Sequence, residues 1–77
     1  MPRYFFNLEG DGSSPDEEGV VLAGPEVARD SAVEAVGELM RDADGKFWNR
    51  PAWRMIVTDE QGATVCELRV SGTTSSG

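Results

Sequence analysis

From Arg3 to Glu9 the side chains alternate: Tyr4, Phe6 and Leu8 fall on one face, Arg3, Phe5, Asn7 and Glu9 on the other. A period of two belongs to a strand with one buried face. After a run of acids, G-V-V-L-A at 19–23 is apolar and β-branched. It reads as a return strand, with Val20 and Leu22 toward the core and Val21 opposite. The period then lengthens. Gly24-Pro25-Glu26 opens a helix: proline at the first helical position lacks only an N–H that would find no helical partner, and Glu26 complements the dipole. Asp44-Gly45 supplies the stop. Between them Ala28, Ala32, Ala35, Val36, Leu39, Met40 and Ala43 form an apolar stripe, with Val33 at its edge.

Alternation returns in the second half. Trp53, Met55 and Val57 alternate with Arg54, Ile56 and Thr58; Asp59-Glu60-Gln61-Gly62 makes a turn; Thr64, Cys66, Leu68 and Val70 alternate with Val65, Glu67 and Arg69. The predicted fold is α+β, in the order ββαββ: an antiparallel sheet of about four strands with one helix packed across one face. Such a domain occupies residues 1–70, and S-G-T-T-S-S-G at 71–77 reads as a disordered polar tail. One helix covers one face only. Phe5, Val21, Ile56 and Val65 are therefore expected on the open face, a candidate interface.

Composition sharpens this picture. A chain of 77 residues has room for one core layer, which supplies roughly 3–5 kcal/mol, so a dimer or partner surface would add materially to stability. The formal charge of −7 disfavours nucleic acid, a polyanion, and suits a basic protein partner. There is no histidine and a single cysteine, Cys66, which removes an internal disulfide and any Cys/His metal cluster. Cys66 itself is expected in the core as a small hydrophobe. No secretory signal and no membrane-length apolar run is visible, so the expected setting is cytoplasmic, with no membrane partner. No cofactor motif is found.

Four places invite chemistry. The loop at 9–19, E-G-D-G-S-S-P-D-E-E-G, concentrates carboxylates. Against a calcium-binding EF-hand frame begun at Glu9, however, Ser14 stands at the glycine position and Val20 at the closing glutamate. A hairpin tip is the expectation, with no metal. On the helix, Glu26, Asp30, Glu34, Glu38 and Asp42 recur every fourth residue. Like charges at that spacing cost about 0.2–0.5 kcal/mol per pair, which makes the ridge a candidate surface for a basic partner. K-F-W-N-R-P-A-W-R at 46–54 is the one basic, aromatic stretch. Phe47, Trp48 and Trp53 are expected to plug the end of the core; failing that, Trp48 and Arg50 become candidate partner-binding residues, since Trp and Arg dominate binding centres. Finally, removal of Met1 would expose Pro2 as a secondary amine. The alternative function is thus a small tautomerase-like enzyme with Pro2 as general base, although such enzymes use a parallel β-α-β unit.

The order M-P-R-Y-F-F, D-E-E-G-V-V-L, an alanine-rich helix, then A-W-R-M-I-V-T-D-E-Q-G resembles a family of short uncharacterised bacterial proteins, from Met1 to about Val70. That resemblance implies the architecture and brings no activity. In layout the chain is also similar to HicB-type antitoxins, whose sheet-and-helix domain covers a small basic ribonuclease toxin. Their separate DNA-binding segment has no counterpart here, so the likeness implies a basic protein partner and not autorepression. The sequence therefore points to a small non-catalytic interaction module binding a basic protein or itself, without catalytic or cofactor-binding residues.

Overall fold

A computed structural model of the chain describes residues 2–10, 15–42, 48, 52–73 and 75. The elements are β1 (Arg3–Glu9), β2 (Val20–Val21), α1 (Pro25–Asp42), β3 (Trp53–Thr58) and β4 (Thr64–Val70). The four strands form one sheet in the order β2-β1-β3-β4, antiparallel at every step. The α+β architecture read from the hydrophobic pattern is the one observed, and three of its strands have the predicted bounds.

Alternation sets the two faces. The β1–β3 register places Phe6 beside Val57 and Leu8 beside Met55. The β3–β4 register places Met55 beside Leu68, Val57 beside Cys66 and Trp53 beside Val70. Tyr4, Met55 and Val57 from this face are buried together with Ala28, Ala32 and Val36 of the helix. The helix begins at Pro25, and its first helical hydrogen bond runs from Ala28 N–H to the Gly24 carbonyl (3.1 Å). Ala28 and Ala32 are wholly buried. Their small side chains let α1 lie close to β3 and β4, and a larger residue at either position is expected to cost about 1–3 kcal/mol by overpacking.

Because α1 sits over β3 and β4, it covers β1 and β2 less completely. A groove of about 230 Å³ remains between Phe6, Val20 and Leu22 on the sheet and Ser31 and Ala35 on the helix. This corrects the expectation for Val20, which lies on the helix side beside Tyr4 yet is 47% exposed. Met40, expected in the buried stripe, is 40% exposed: its helical angle places it on the flank with Val33 and not beneath the axis. Val65, expected on the open face, packs against the core instead. The register slips between Val57 and Thr58, so Thr58 faces Thr64, Val57 faces Cys66, and Val65 is the extra residue of a bulge. Ala43 lies outside the described residues.

Candidate interaction surfaces

One carboxylate organises residues 16–19, at the end of the acidic loop, and ties them to β1. Asp16 Oδ1 accepts from Glu18 N–H (3.1 Å) and Gly19 N–H (3.0 Å), and its Oδ2 accepts from Phe6 N–H (3.1 Å). The third bond explains why β2 is only two residues long. Leu22 N–H reaches the Pro2 carbonyl (3.0 Å), so even-numbered residues of β1 turn their backbone groups toward β2. At Phe6 the Asp16 side chain stands where a longer β2 would have supplied a carbonyl. Asn7 completes the clamp: its Oδ1 accepts from Asp16 N–H (3.0 Å), while its Nδ2 donates to the Ile56 carbonyl (3.1 Å). The Asp16 carboxyl is held below its ordinary pKa, first by Gly19 N–H, next by Phe6 N–H, with burial opposing and Glu18 N–H adding to the lowering.

A second acid does similar work in the β3–β4 turn. Asp59 Oδ1 accepts from Gln61 N–H and Ala63 N–H (both 2.9 Å), and Gly62 N–H donates to the Asp59 carbonyl (3.0 Å). Both D-E-x-G segments thus hold backbone. Among the described residues no three metal-ligating side chains converge; residues 11–14 of the acidic loop lie outside them.

The open face carries an ion-pair chain across three strands. Arg54 on β3 pairs with Glu9 on β1 and approaches Glu67 on β4 (Nη1–Oε2 3.6 Å), and Glu67 also accepts from Arg69 Nε (2.7 Å). The Glu9 bond chiefly, with its charge, pushes the Arg54 guanidinium further above its usual pKa. The Arg69 hydrogen bond, ahead of the charges, holds the Glu67 carboxyl below the usual range. Such exposed pairs are screened by solvent, so they order the surface more than they stabilise the fold. Phe5 and Ile56 are half-buried on this face and Val21 is exposed.

The predicted site residues of α1, namely Glu26, Asp30, Glu34, Glu38 and Asp42, are all exposed. Among the described residues none of them forms an ion pair, while Arg54 and Arg69 are engaged on the sheet. Spacing by four makes neighbours but not one flat face: each step turns about 40° around the helix. Asp30, Glu34 and Glu38 point together, whereas Glu26 and Asp42 diverge to either side. In the aromatic stretch, Trp53 is buried as expected, but Trp48 is 54% exposed and does not plug the core. Phe47 and Arg50 lie outside the described residues. Pro2 is exposed just before β1. Cys66 is half-buried, its thiol pushed up by burial with the Arg29 charge acting the other way. It is packed against the core, as read from its position in the strand.

The Asp16–Asn7 clamp, the Arg54 hub and the outer edge of β4 escaped the sequence reading. Each depends on which strands become neighbours, and alternation alone does not say that. No helix among the described residues is long and apolar enough to cross a membrane. No curated protein and no solved structure matches the chain. One family model, described as a domain of unknown function, DUF6894, matches residues 3–71, which takes in every strand and the helix. The chain belongs to this family.

Proposed function

We propose that the domain works by binding protein and not by catalysis, with the α1 ridge as a docking surface for a basic partner. The observation that supports this is the exposed set Asp30, Glu34 and Glu38, pointing together and unpaired with any base among the described residues. A helix that keeps like charges adjacent gives up stability, and a basic partner surface recovers it while steering encounter. Glu26 and Asp42 flank the contact, and Trp48, with Arg50 beyond, lies next along the chain as a candidate aromatic anchor.

The test is affinity capture with cross-linking mass spectrometry, comparing the wild type with Asp30→Lys/Glu34→Lys/Glu38→Lys. The expected result is a basic protein cross-linked to α1, lost in the triple variant and weakened by salt. A retained protein that ignores both the reversal and salt would overturn the ridge, as would capture of nothing by the wild type.

A further inference from the structure

We infer that β4 pairs with β4 of a second copy of this chain, antiparallel about a two-fold axis at Leu68, so that two four-stranded sheets become one. This goes beyond the basic-partner reading and does not use Asp30, Glu34 or Glu38.

The edge is available. β4 is the last strand in the order β2-β1-β3-β4, and among the described residues it pairs only with β3. An edge strand of seven residues, unpaired on its outer side among the described residues, is a ready template for another strand. Which backbone groups face outward follows from the registers. Even residues of β1 turn toward β2, as the bond from Leu22 to Pro2 shows, so Phe5, Asn7 and Glu9 turn toward β3. Their partners Thr58, Ile56 and Arg54 turn back toward β1. Trp53, Met55 and Val57 therefore turn toward β4, where Val70, Leu68 and Cys66 receive them. Glu67 and Arg69 are left with N–H and C=O groups directed away from the sheet.

Charge then selects a register. A two-fold antiparallel pair must oppose outward residues to outward residues, and the side chains of opposed residues meet on one face. An axis at Glu67 sets that glutamate against its own copy, and an axis at Arg69 does the same for the arginine. An axis at Leu68 sets each Glu67 opposite Arg69 of the other copy, twice by symmetry. The bulge at Val65 independently points to the same place. The regular part of β4 beyond it runs over residues 66–70, whose midpoint is Leu68.

Packing above the sheet agrees. The helix rests on both β3 and β4, so its copy would lie two strand spacings away, about 9–10 Å between axes, within the usual range for packed helices. The flank that would meet the copy carries Val33 and Met40, which are 59% and 40% exposed in the single chain. Their side is fixed by Arg29, a helical neighbour whose charge is felt at Cys66 on β4, and by the groove with Ser31 and Ala35 on the opposite flank.

Sedimentation equilibrium on the wild type, Arg69→Glu, Glu67→Arg and an equimolar mixture of the two variants tests this. Expected is a wild-type dimer, a dissociation constant raised roughly tenfold or more in each single variant, since both symmetric pairs become like-charged, and recovery in the mixture, where each chain complements the other. In the wild type, amide exchange at Glu67 and Arg69 should be slow, and fast in Arg69→Glu. Circular dichroism checks that the variants fold. A wild type that stays monomeric at millimolar concentration, with freely exchanging Glu67 and Arg69 amides, overturns the inference; so does a dimer that Arg69→Glu leaves intact, or a mixture that fails to reassemble. The ridge variant Asp30→Lys/Glu34→Lys/Glu38→Lys should remain dimeric and Arg69→Glu should still capture the basic partner, so either proposal can fail alone.

Discussion

Asp16-Glu17-Glu18-Gly19 and Asp59-Glu60-Gln61-Gly62 are nearly the same four residues used for different ends. In each, the aspartate accepts backbone N–H groups and the glycine has positive φ, +73° at Gly19 and +84° at Gly62. The second turn is local at its aspartate: every bond of Asp59 stays within the hairpin it closes, while the neighbouring Glu60 side chain accepts from Arg3 N–H of β1 (3.3 Å). The first is tertiary. Asp16 grips Phe6 ten residues earlier in the chain, and Gly19 lies against β1. A side-chain carbon at Gly19 would come within 2.9 Å of Arg3 Cγ, Phe5 Cε1 and the Tyr4 carbonyl, whereas at Gly62 it would meet nothing within 4 Å. Equal local sequence therefore carries unequal energetic weight, and the difference lies in what the surrounding fold brings near.

The largest effect expected from this comparison is at Gly19. Gly19→Ala incurs both the left-handed backbone penalty and a backbone clash at the Tyr4 carbonyl, together about 2–4 kcal/mol. For a domain of this size that is most of the available stability. Urea unfolding should show a midpoint near zero denaturant, and the loss of β2 pairing should appear as rapid exchange at Leu22 N–H, which the Pro2 carbonyl otherwise protects. A midpoint close to wild type would show that β2 can move away from β1 at little cost.

Asp16→Asn comes next. It removes the charge from three backbone hydrogen bonds, and whichever way the amide turns, its NH₂ meets an N–H donor at Phe6 or at Glu18 and Gly19. The expected loss is about 1–3 kcal/mol at neutral pH. Its pH dependence has a definite sign. The folded carboxyl titrates below its ordinary value of 3.8, so its contribution is complete above that value and is lost as pH falls through the lowered folded one. The stability gap between wild type and Asp16→Asn should therefore close on acidification below the ordinary carboxylate range. A gap that is constant with pH would mean the carboxylate's charge is immaterial to the clamp.

These two residues also mark where the sequence stops being informative. Alternation located β1, β3 and β4 to the residue, and Gly24-Pro25-Glu26 located the start of α1, because periodicity and capping are local. D-E-E-G could be read as a turn, but its grip on Phe6 could not, since that depends on β2 folding back beside β1. Val20 and Met40 were misplaced for one shared reason. Hydrophobic spacing identifies the inward side of an element, but not that α1 would settle over β3 and β4, leaving Val20 at a groove and Met40 on a flank. Val65 was lost to a bulge, which shifts facing by one residue without any residue type to announce it. The ridge was legible in its spacing, while its winding around the helix needed the angle per residue and not the residue names.

Gly62 gives the smallest effect and the cleanest discrimination. With open space around it, Gly62→Ala meets only the left-handed backbone penalty, about 1–2 kcal/mol, partly offset by about 0.4–1 kcal/mol from a less flexible unfolded chain. A net loss of about 1 kcal/mol is expected. Asparagine tolerates the left-handed region better than alanine, so Gly62→Asn should recover part of that loss. At Gly19 the same replacement should recover almost nothing, because the Tyr4 carbonyl, Arg3 and Phe5 obstruct any side chain, whatever its backbone preference. The four variants measured together by urea unfolding separate backbone conformation from space. Equal recovery by asparagine at both glycines would mean that β1 yields to a side chain at Gly19, and the two turns would then be local devices of the same kind.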